Sequence, residues 1–220
     1  MKIFVVIPAW NEAKRIRQVL QSLISLPYEV VVVDDASTDE TAEIVREFPV
    51  YLLRHRLNRD QGAALQTGND FALSHGADVI VHFDADGQFL VEEIKDLAQP
   101  VIDGVCDVVF GSRFLEKKSK MPWFKKNIMF PIARLVNRIL LGIKLTDPQS
   151  GFRVLSRQVA EAIIIEQDGK AHCSEIAAKV FEHKFKVKEV PMTVIYHEFG
   201  QGLSGGIKIV KDLIFSKLLK

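Results

Sequence analysis

Five short apolar runs punctuate the first half of this 220-residue chain: Ile3 to Ile7, Val30 to Val33, Val50 to Leu53, Val79 to Phe83 and Val108 to Phe110. Little polar alternation interrupts them, as expected of strands covered on both faces. Between the runs, apolar residues recur three and four apart. Ile16, Val19, Leu20, Leu23 and Ile24 mark one helix, Leu65, Phe71 and Leu73 another, and Val91 to Ile102 a third. Pro8 is expected to stop the first ladder and Asn11 to cap the helix after it. Ser37 to Glu40 supply caps and first-turn acids for a further helix running to about Phe48. The β-α alternation predicts an α/β fold with a mostly parallel sheet and helices on both faces. In such a sheet ligands gather beyond the carboxyl ends of the strands.

The second half is less regular. Ile128, Ile132, Leu135, Ile139 and Leu140 form one amphipathic stretch, and Thr146 to Arg153 reads as a turn-rich loop. A helix is expected from Ser174 to His183, an alternating strand from Val187 to Val194, and a basic amphipathic helix from Gly205 to Lys220. With 48% hydrophobic and 26% charged residues, the chain reads as one domain over residues 1–220. The two cysteines, Cys106 and Cys173, offer neither metal spacing nor a disulfide framework, which favours a reducing, cytoplasmic setting. No signal-peptide h-region is visible, and no run approaches the ~20 apolar residues that span a bilayer.

Charge is divided unevenly. Residues 1–110 carry 9 Lys and Arg against 18 Asp and Glu, and the remaining residues carry 20 against 10. A basic half can meet an anionic partner. Lys117, Lys118, Lys120, Lys125 and Lys126 surround Met121-Pro122-Trp123-Phe124. Such a segment suits peripheral contact with a membrane face, and it equally suits a core-packed helix with a solvated basic side.

The chemistry concentrates after the fourth run, where His82-Phe83-Asp84-Ala85-Asp86-Gly87-Gln88 puts two carboxylates one residue apart. Residues so spaced can point the same way and share a hard cation, which takes oxygen ligands and substrate phosphates. A pair of solvated loop carboxylates is the plain alternative.

Read together, seven segments carry a resemblance. They are Ile7-Pro8-Ala9-Trp10-Asn11-Glu12, Val33 to Asp39, Asn58 to Gly68, Asp84 to Gln88, Gly111 to Phe114, Asp147 to Arg153 and Glu189 to Met192. In this order and spacing they resemble glycosyltransferase family 2, inverting nucleotide-sugar enzymes with the GT-A fold. The pattern is most similar to the branch of dolichyl-phosphate mannosyltransferases and related polyprenyl-phosphate sugar transferases. The resemblance implies a UDP- or GDP-sugar donor bound by the first half, a lipid-phosphate acceptor met by the second, and a divalent metal, Mg²⁺ or Mn²⁺. No nucleic-acid partner is implied. A membrane partner protein is one way for such a chain to reach a lipid acceptor.

The resemblance also assigns residues. Pro8, Trp10, Glu12, Asp34, Asp35, Asn58, Gly62 and Asp84 would frame the nucleotide, and Asp84, Asp86 and Gln88 the metal. Asp86, Arg113, Asp147 and Glu175 would serve catalysis. Arg113, Ser150, Arg153 and His197 would meet acceptor or phosphate. Several of these residues have plainer readings. Asp35 can be a helix-start acid and Asp34 a turn residue. Glu175 can be a first-turn acid, Asp147 a turn former, and Arg113, Arg153 and His197 surface groups. Asp60 stands where relatives often carry glycine. A sugar hydroxyl acceptor needs a general base and a polyprenyl phosphate does not, since it is already anionic. The competing readings are a nucleotidyltransferase, which usually opens with a basic glycine-rich loop, a receiver-like signalling domain, and a non-catalytic nucleotide-sugar binder.

Overall fold

The computed structural model describes residues 1–115 and 144–195. Their elements run β1 (Ile3–Ala9), α1 (Ile16–Leu23), β2 (Glu29–Asp34), α2 (Thr41–Val45), β3 (Tyr51–Arg54), α3 (Asp60–Ser74), β4 (Val79–His82), α4 (Glu93–Ile102), β5 (Val108–Ser112), β6 (Arg153–Ser156), α5 (Arg157–Ala162), α6 (His172–Glu182) and β7 (Val187–Pro191). Alternate residues of β1 enter two separate cores. Val5, Ile7 and Ala9 face one, and Phe4 and Val6 the other. In β2, Val30 and Val32 join the first core while Val31 and Val33 join the second. The unbroken apolar runs are thus explained by helices on both sides of the sheet. Ile16, Leu20, Leu23, Ile94 and Leu97 close the first face, and Ala64, Leu65, Val159, Ile176 and Val180 the second. Each fully buried Val, Leu, Ile or Phe contributes about 1.5–3 kcal/mol.

The sheet has seven strands in the order β3-β2-β1-β4-β6-β5-β7. Only β6 runs antiparallel to its neighbours, β4 and β5. The other six point one way, so their carboxyl ends share one edge with the start of β6, where Arg153 pairs with His82 and Phe110. Strands from both halves of the chain therefore build one mostly parallel α/β sheet, as the resemblance implies.

Four local expectations are corrected. Pro8 does not end β1, which continues to Ala9 with Pro8 opposite Val33. The Val6 carbonyl accepts from Phe83 and the Ala9 carbonyl from Asp35. By alternation Pro8 faces β4, whose ladder with β1 has already ended at His82, so its missing N–H costs nothing. Asn11 does not cap α1 but turns left-handed at φ 55° and accepts from the Thr38 N–H at 2.9 Å. The second helix stops at Val45, and Glu47 and Phe48 bond back three residues in a tighter turn. Arg153 opens β6 instead of lying in a loop, and α5 follows with Ser156 as its N-cap. The expected helices at Ile128–Leu140 and Gly205–Lys220 lie outside the described residues.

Gly68 lets α3 settle onto β1. A Cβ there would collide with Val6 Cγ1 and stand 3.3 Å from Val33 Cγ2. Gly68→Ala is expected to cost about 1–3 kcal/mol, as overpacking does. Urea unfolding midpoints check this, and an unchanged midpoint contradicts the close packing.

Candidate active site

The carboxyl edge of β4 runs directly into Asp84 and Asp86. Ala85 between them is buried, which leaves both carboxylates on the more open side of the chain. The turn is closed by Gly87 at φ 69° and by the Gln88 N–H donating to Asp86 Oδ1 at 3.0 Å. Gln61, in the first turn of α3, donates to Asp84 Oδ1 at 2.8 Å. Gly151 makes room for the same carboxylate, since a Cβ there would stand 2.6 Å from Asp84 Oδ2.

Like charges crowd this edge. Withdrawal from water, then the negative charges of Asp86 and Cys173, push Asp84 up to about 7 against the pull of Arg153 and His172. Glu12 is raised too, first by burial and then by Asp86. Among the described residues no three His, Cys, Asp or Glu side chains close around one point. A cation here would rest on Asp84 and Asp86 and complete its shell with other oxygens, the usual manner of Mg²⁺ with substrate phosphates. The donor set fits: the ligands are hard oxygens, and their mutual repulsion is relieved by a positive ion.

The loops after β1, β2 and β3 interlock beside this pair. Trp10 is 55% exposed at the end of β1. The Glu12 N–H donates to Thr41 Oγ1 at 2.8 Å, and the Asn11 N–H to Ser37 Oγ at 2.9 Å. Asp34 has no exposed surface. Its Oδ1 accepts from the Ser37 N–H and its Oδ2 lies 2.9 Å from Arg54 Nε. Asp35 meets His55 Nδ1 at 2.7 Å and accepts from the Arg59 N–H at the start of α3, where a helix welcomes negative charge. Asn58 Nδ2 donates to the Asp35 carbonyl at 3.2 Å. Asp60 adopts φ 66°, a left-handed conformation that favours glycine. Gly62 lies against another loop, its N–H donating to the Asp168 carbonyl at 2.6 Å.

The remaining candidates divide by depth. Arg113, after β5, grips Asp147 as a fork, Nε to Oδ2 and Nη2 to Oδ1, both at 2.6 Å. Asp147 is fully buried, and Glu189 fixes its segment by accepting from the Thr146 and Asp147 N–H groups. Glu175 is equally committed. Its carboxylate accepts from the Glu166 and Gln167 N–H groups and lies 2.8 Å from Lys179 Nζ. Ser150 is buried and its hydroxyl donates to the Phe152 carbonyl. Arg153 is wholly enclosed near Asp84. Gln88 accepts from the Ile195 N–H at 2.9 Å through its carbonyl, tying the end of the described chain to the aspartate loop. His197 and the lysines at 117–126 lie outside the described residues.

Residues 4–164 match the glycosyl transferase family 2. The chain belongs to that family. It is 37% identical to an uncharacterised protein of Methanocaldococcus jannaschii, over 99% of this chain and 93% of that protein. It is 32% identical to the UDP-N-acetylglucosamine–dolichyl-phosphate N-acetylglucosaminyltransferase of Methanococcus voltae, over 99% and 97% of the two chains. The crystal structure of glucosyl-3-phosphoglycerate synthase from Mycobacterium tuberculosis, in complex with Mn²⁺, UDP-glucose and phosphoglyceric acid, shares the fold. That likeness has a TM-score of 0.75 at 20% identity and covers 97% of this chain and 78% of the other. The protein is thus a family 2 glycosyltransferase, similar to the branch of polyprenyl-phosphate sugar transferases.

Four neighbours of the candidate residues emerge only from the structure. Gln61 and Gly151 touch Asp84, and both lie inside segments singled out for other members. Glu189 sits in a motif segment with no partner near it in sequence, and Cys173 has no metal spacing to mark it.

A carboxyl raised in the folded state carries a proton that unfolding releases between the unfolded value near 3.8 and the folded value of about 7. Its contribution to stability is therefore complete at low pH and is lost as pH climbs through that window. In metal-free buffer Asp84→Asn should gain about 3–4 kcal/mol on the native protein between pH 4 and pH 8, at ~1.4 kcal/mol per unit of that window. Saturating Mn²⁺ should reverse the order. A difference independent of pH in urea titrations contradicts the crowded-carboxylate account.

Proposed function

We propose that this enzyme moves a sugar from a nucleotide diphosphate donor to a polyprenyl phosphate, inverting the anomeric carbon, with a divalent cation at Asp84 and Asp86. One observation carries the choice of acceptor. Asp147 and Glu175, the two acids expected to supply a general base, are both spent on internal bonds. An acceptor hydroxyl needs such a base. A phosphate acceptor brings its own negative oxygen. The Methanococcus voltae relative, which acts on dolichyl phosphate as its name states, supports the same reading.

The chain's own groups divide the work. Trp10, Pro8 and Glu12 line the donor side of the edge, on a loop that Asn11, Ser37 and Thr41 hold in place. Asp34 and Asp35 shape the base and ribose pocket by fixing the loops around Ser37 and Arg59. Asn58 and Gly62 continue that wall. Asp84 and Asp86, with Gln88, hold the cation, which when bound offsets the charge that builds on the departing pyrophosphate. Arg113 is aimed by Asp147, which occupies its Nε and Nη2, so its part is to hold a fixed positive charge toward the phosphates. Ser150 and Arg153 act from within. His197 lies outside the described residues, and the family resemblance alone suggests it for the acceptor phosphate. The surplus of basic residues after position 110 favours contact with an anionic membrane face, directly or through a membrane partner.

The test is transfer of radiolabelled sugar from UDP- and GDP-sugars to undecaprenyl or dolichyl phosphate in detergent. Transfer should require Mg²⁺ or Mn²⁺ and fall at least ~100-fold in Asp86→Asn with the melting temperature unchanged. Glu175→Gln should lower stability while kcat stays within ~10-fold, since no proton passes through it. Metal-independent transfer, or a kcat loss in Glu175→Gln as large as in Asp86→Asn, overturns the reading.

A further inference from the structure

Arg113 follows directly on β5, and the groups that hold it come from two distant parts of the chain. Asp147 accepts from Arg113 Nε and Nη2 at 2.6 Å each and from the Arg113 N–H at 3.2 Å. Asp147 is fully buried, and its own segment is held from β7, the last strand of the sheet. There Glu189, opposite Phe110, accepts from the Thr146 N–H at 2.9 Å, from Thr146 Oγ1 at 2.8 Å and from the Asp147 N–H at 3.2 Å. A carboxylate has no hydrogen to give, so the Thr146 hydroxyl donates to Glu189 and must accept from its other neighbour. That neighbour is Ser112 Oγ at 2.6 Å, which therefore donates to Thr146 and accepts from the Phe114 N–H at 3.2 Å. Each proton in this chain has one direction. Ser112 is fully buried, so bulk water does not replace a partner lost there.

We propose that Glu189, acting through Thr146 and Asp147, is a positioning residue for Arg113, and that it sets how tightly the site holds the phosphate that Arg113 meets. Two backbone segments are clamped together. Ser112, Arg113 and Phe114 lie on one side, and Thr146 and Asp147 on the other. Their bonds join residues 34 positions apart, and Glu189 anchors the second segment from a further 42 positions along the chain. An arginine side chain in water samples many rotamers, and ordering it on binding weakens the complex. With Nε and Nη2 both on a carboxylate whose backbone is itself pinned, the Arg113 charge is in place before a ligand arrives. The clamp rather than the arginine alone then determines phosphate affinity. This role rests on the proposed phosphate contact of Arg113.

Glu189→Ala strips several acceptor contacts at once and endangers the fold. Thr146→Val therefore stands beside it, keeping the shape while deleting the hydroxyl, and Thr146→Ser restores the hydroxyl. Each variant is made in the native and in the Arg113→Ala background and checked for an intact melting transition. The KM for undecaprenyl phosphate and the Kd of UDP and of GDP with Mn²⁺ are then measured. Arg113→Ala should weaken at least one of these constants ~10-fold or more, which identifies the phosphate it meets. Thr146→Val and Glu189→Ala should weaken that same constant at least ~3-fold, and Thr146→Ser should return it to within ~2-fold of native. In the Arg113→Ala background neither Thr146→Val nor Glu189→Ala should add a further loss, because the group they position is gone. The Thr146 pair decides alone if Glu189→Ala does not melt cooperatively. An equal loss from Thr146→Val in both backgrounds, or none while Arg113→Ala has its effect, overturns the positioning role and leaves the phosphate contact standing. If Arg113→Ala leaves all three constants unchanged, the phosphate contact fails and this role fails with it.

Discussion

Two carboxylates one residue apart at the end of a buried strand repel each other, and the surrounding fold manages that repulsion. The repulsion exists because six strands point one way and bring Glu12, Asp84 and Asp86 to a common edge. Gln61 donates a hydrogen bond to one oxygen, and Gly151 gives the other space. Arg153 adds positive charge from the interior, entering the same edge because β6 alone runs backwards and starts where the other strands finish. None of these removes the excess negative charge. A divalent cation would, and it is the group that we propose this edge holds together with the donor's pyrophosphate.

The same economy governs the other charged residues. Asp35 is bonded at the start of α3, Asp147 is gripped by Arg113, and Glu175 and Glu189 each hold a segment of backbone. Carboxylates bound this way stiffen the loops of the carboxyl edge, because Asp35, Asp147 and Glu189 link segments 24, 34 and 43 positions apart. They are poorly suited to taking up a proton during reaction, since protonation would break those links. A chemistry that needs no protein base is compatible with such a framework.

Much of this was legible before any coordinates. The apolar runs gave five strands because a strand buried on both faces leaves an unmistakable signal. The Asp84-Ala85-Asp86 spacing marked the site because two acids after such a run are costly without a ligand. β6 was not legible. Only four residues long, it begins with arginine, and nothing local distinguishes a buried arginine from a surface one. Asn11 looks locally like a cap for α1, and Asp35 offers a helix-start acid beside its nucleotide reading, whereas their partners, Thr38 and Arg59, lie 27 and 24 positions away.

The most direct test is calorimetric titration of the native protein with UDP and with GDP, each with and without Mn²⁺. One nucleotide should bind in the presence of the metal and lose at least ~10-fold in affinity without it, which would also name the donor base. Binding of equal strength with and without Mn²⁺, or no binding of either nucleotide, would contradict the claim that the aspartate edge is completed by a cation and a nucleotide diphosphate.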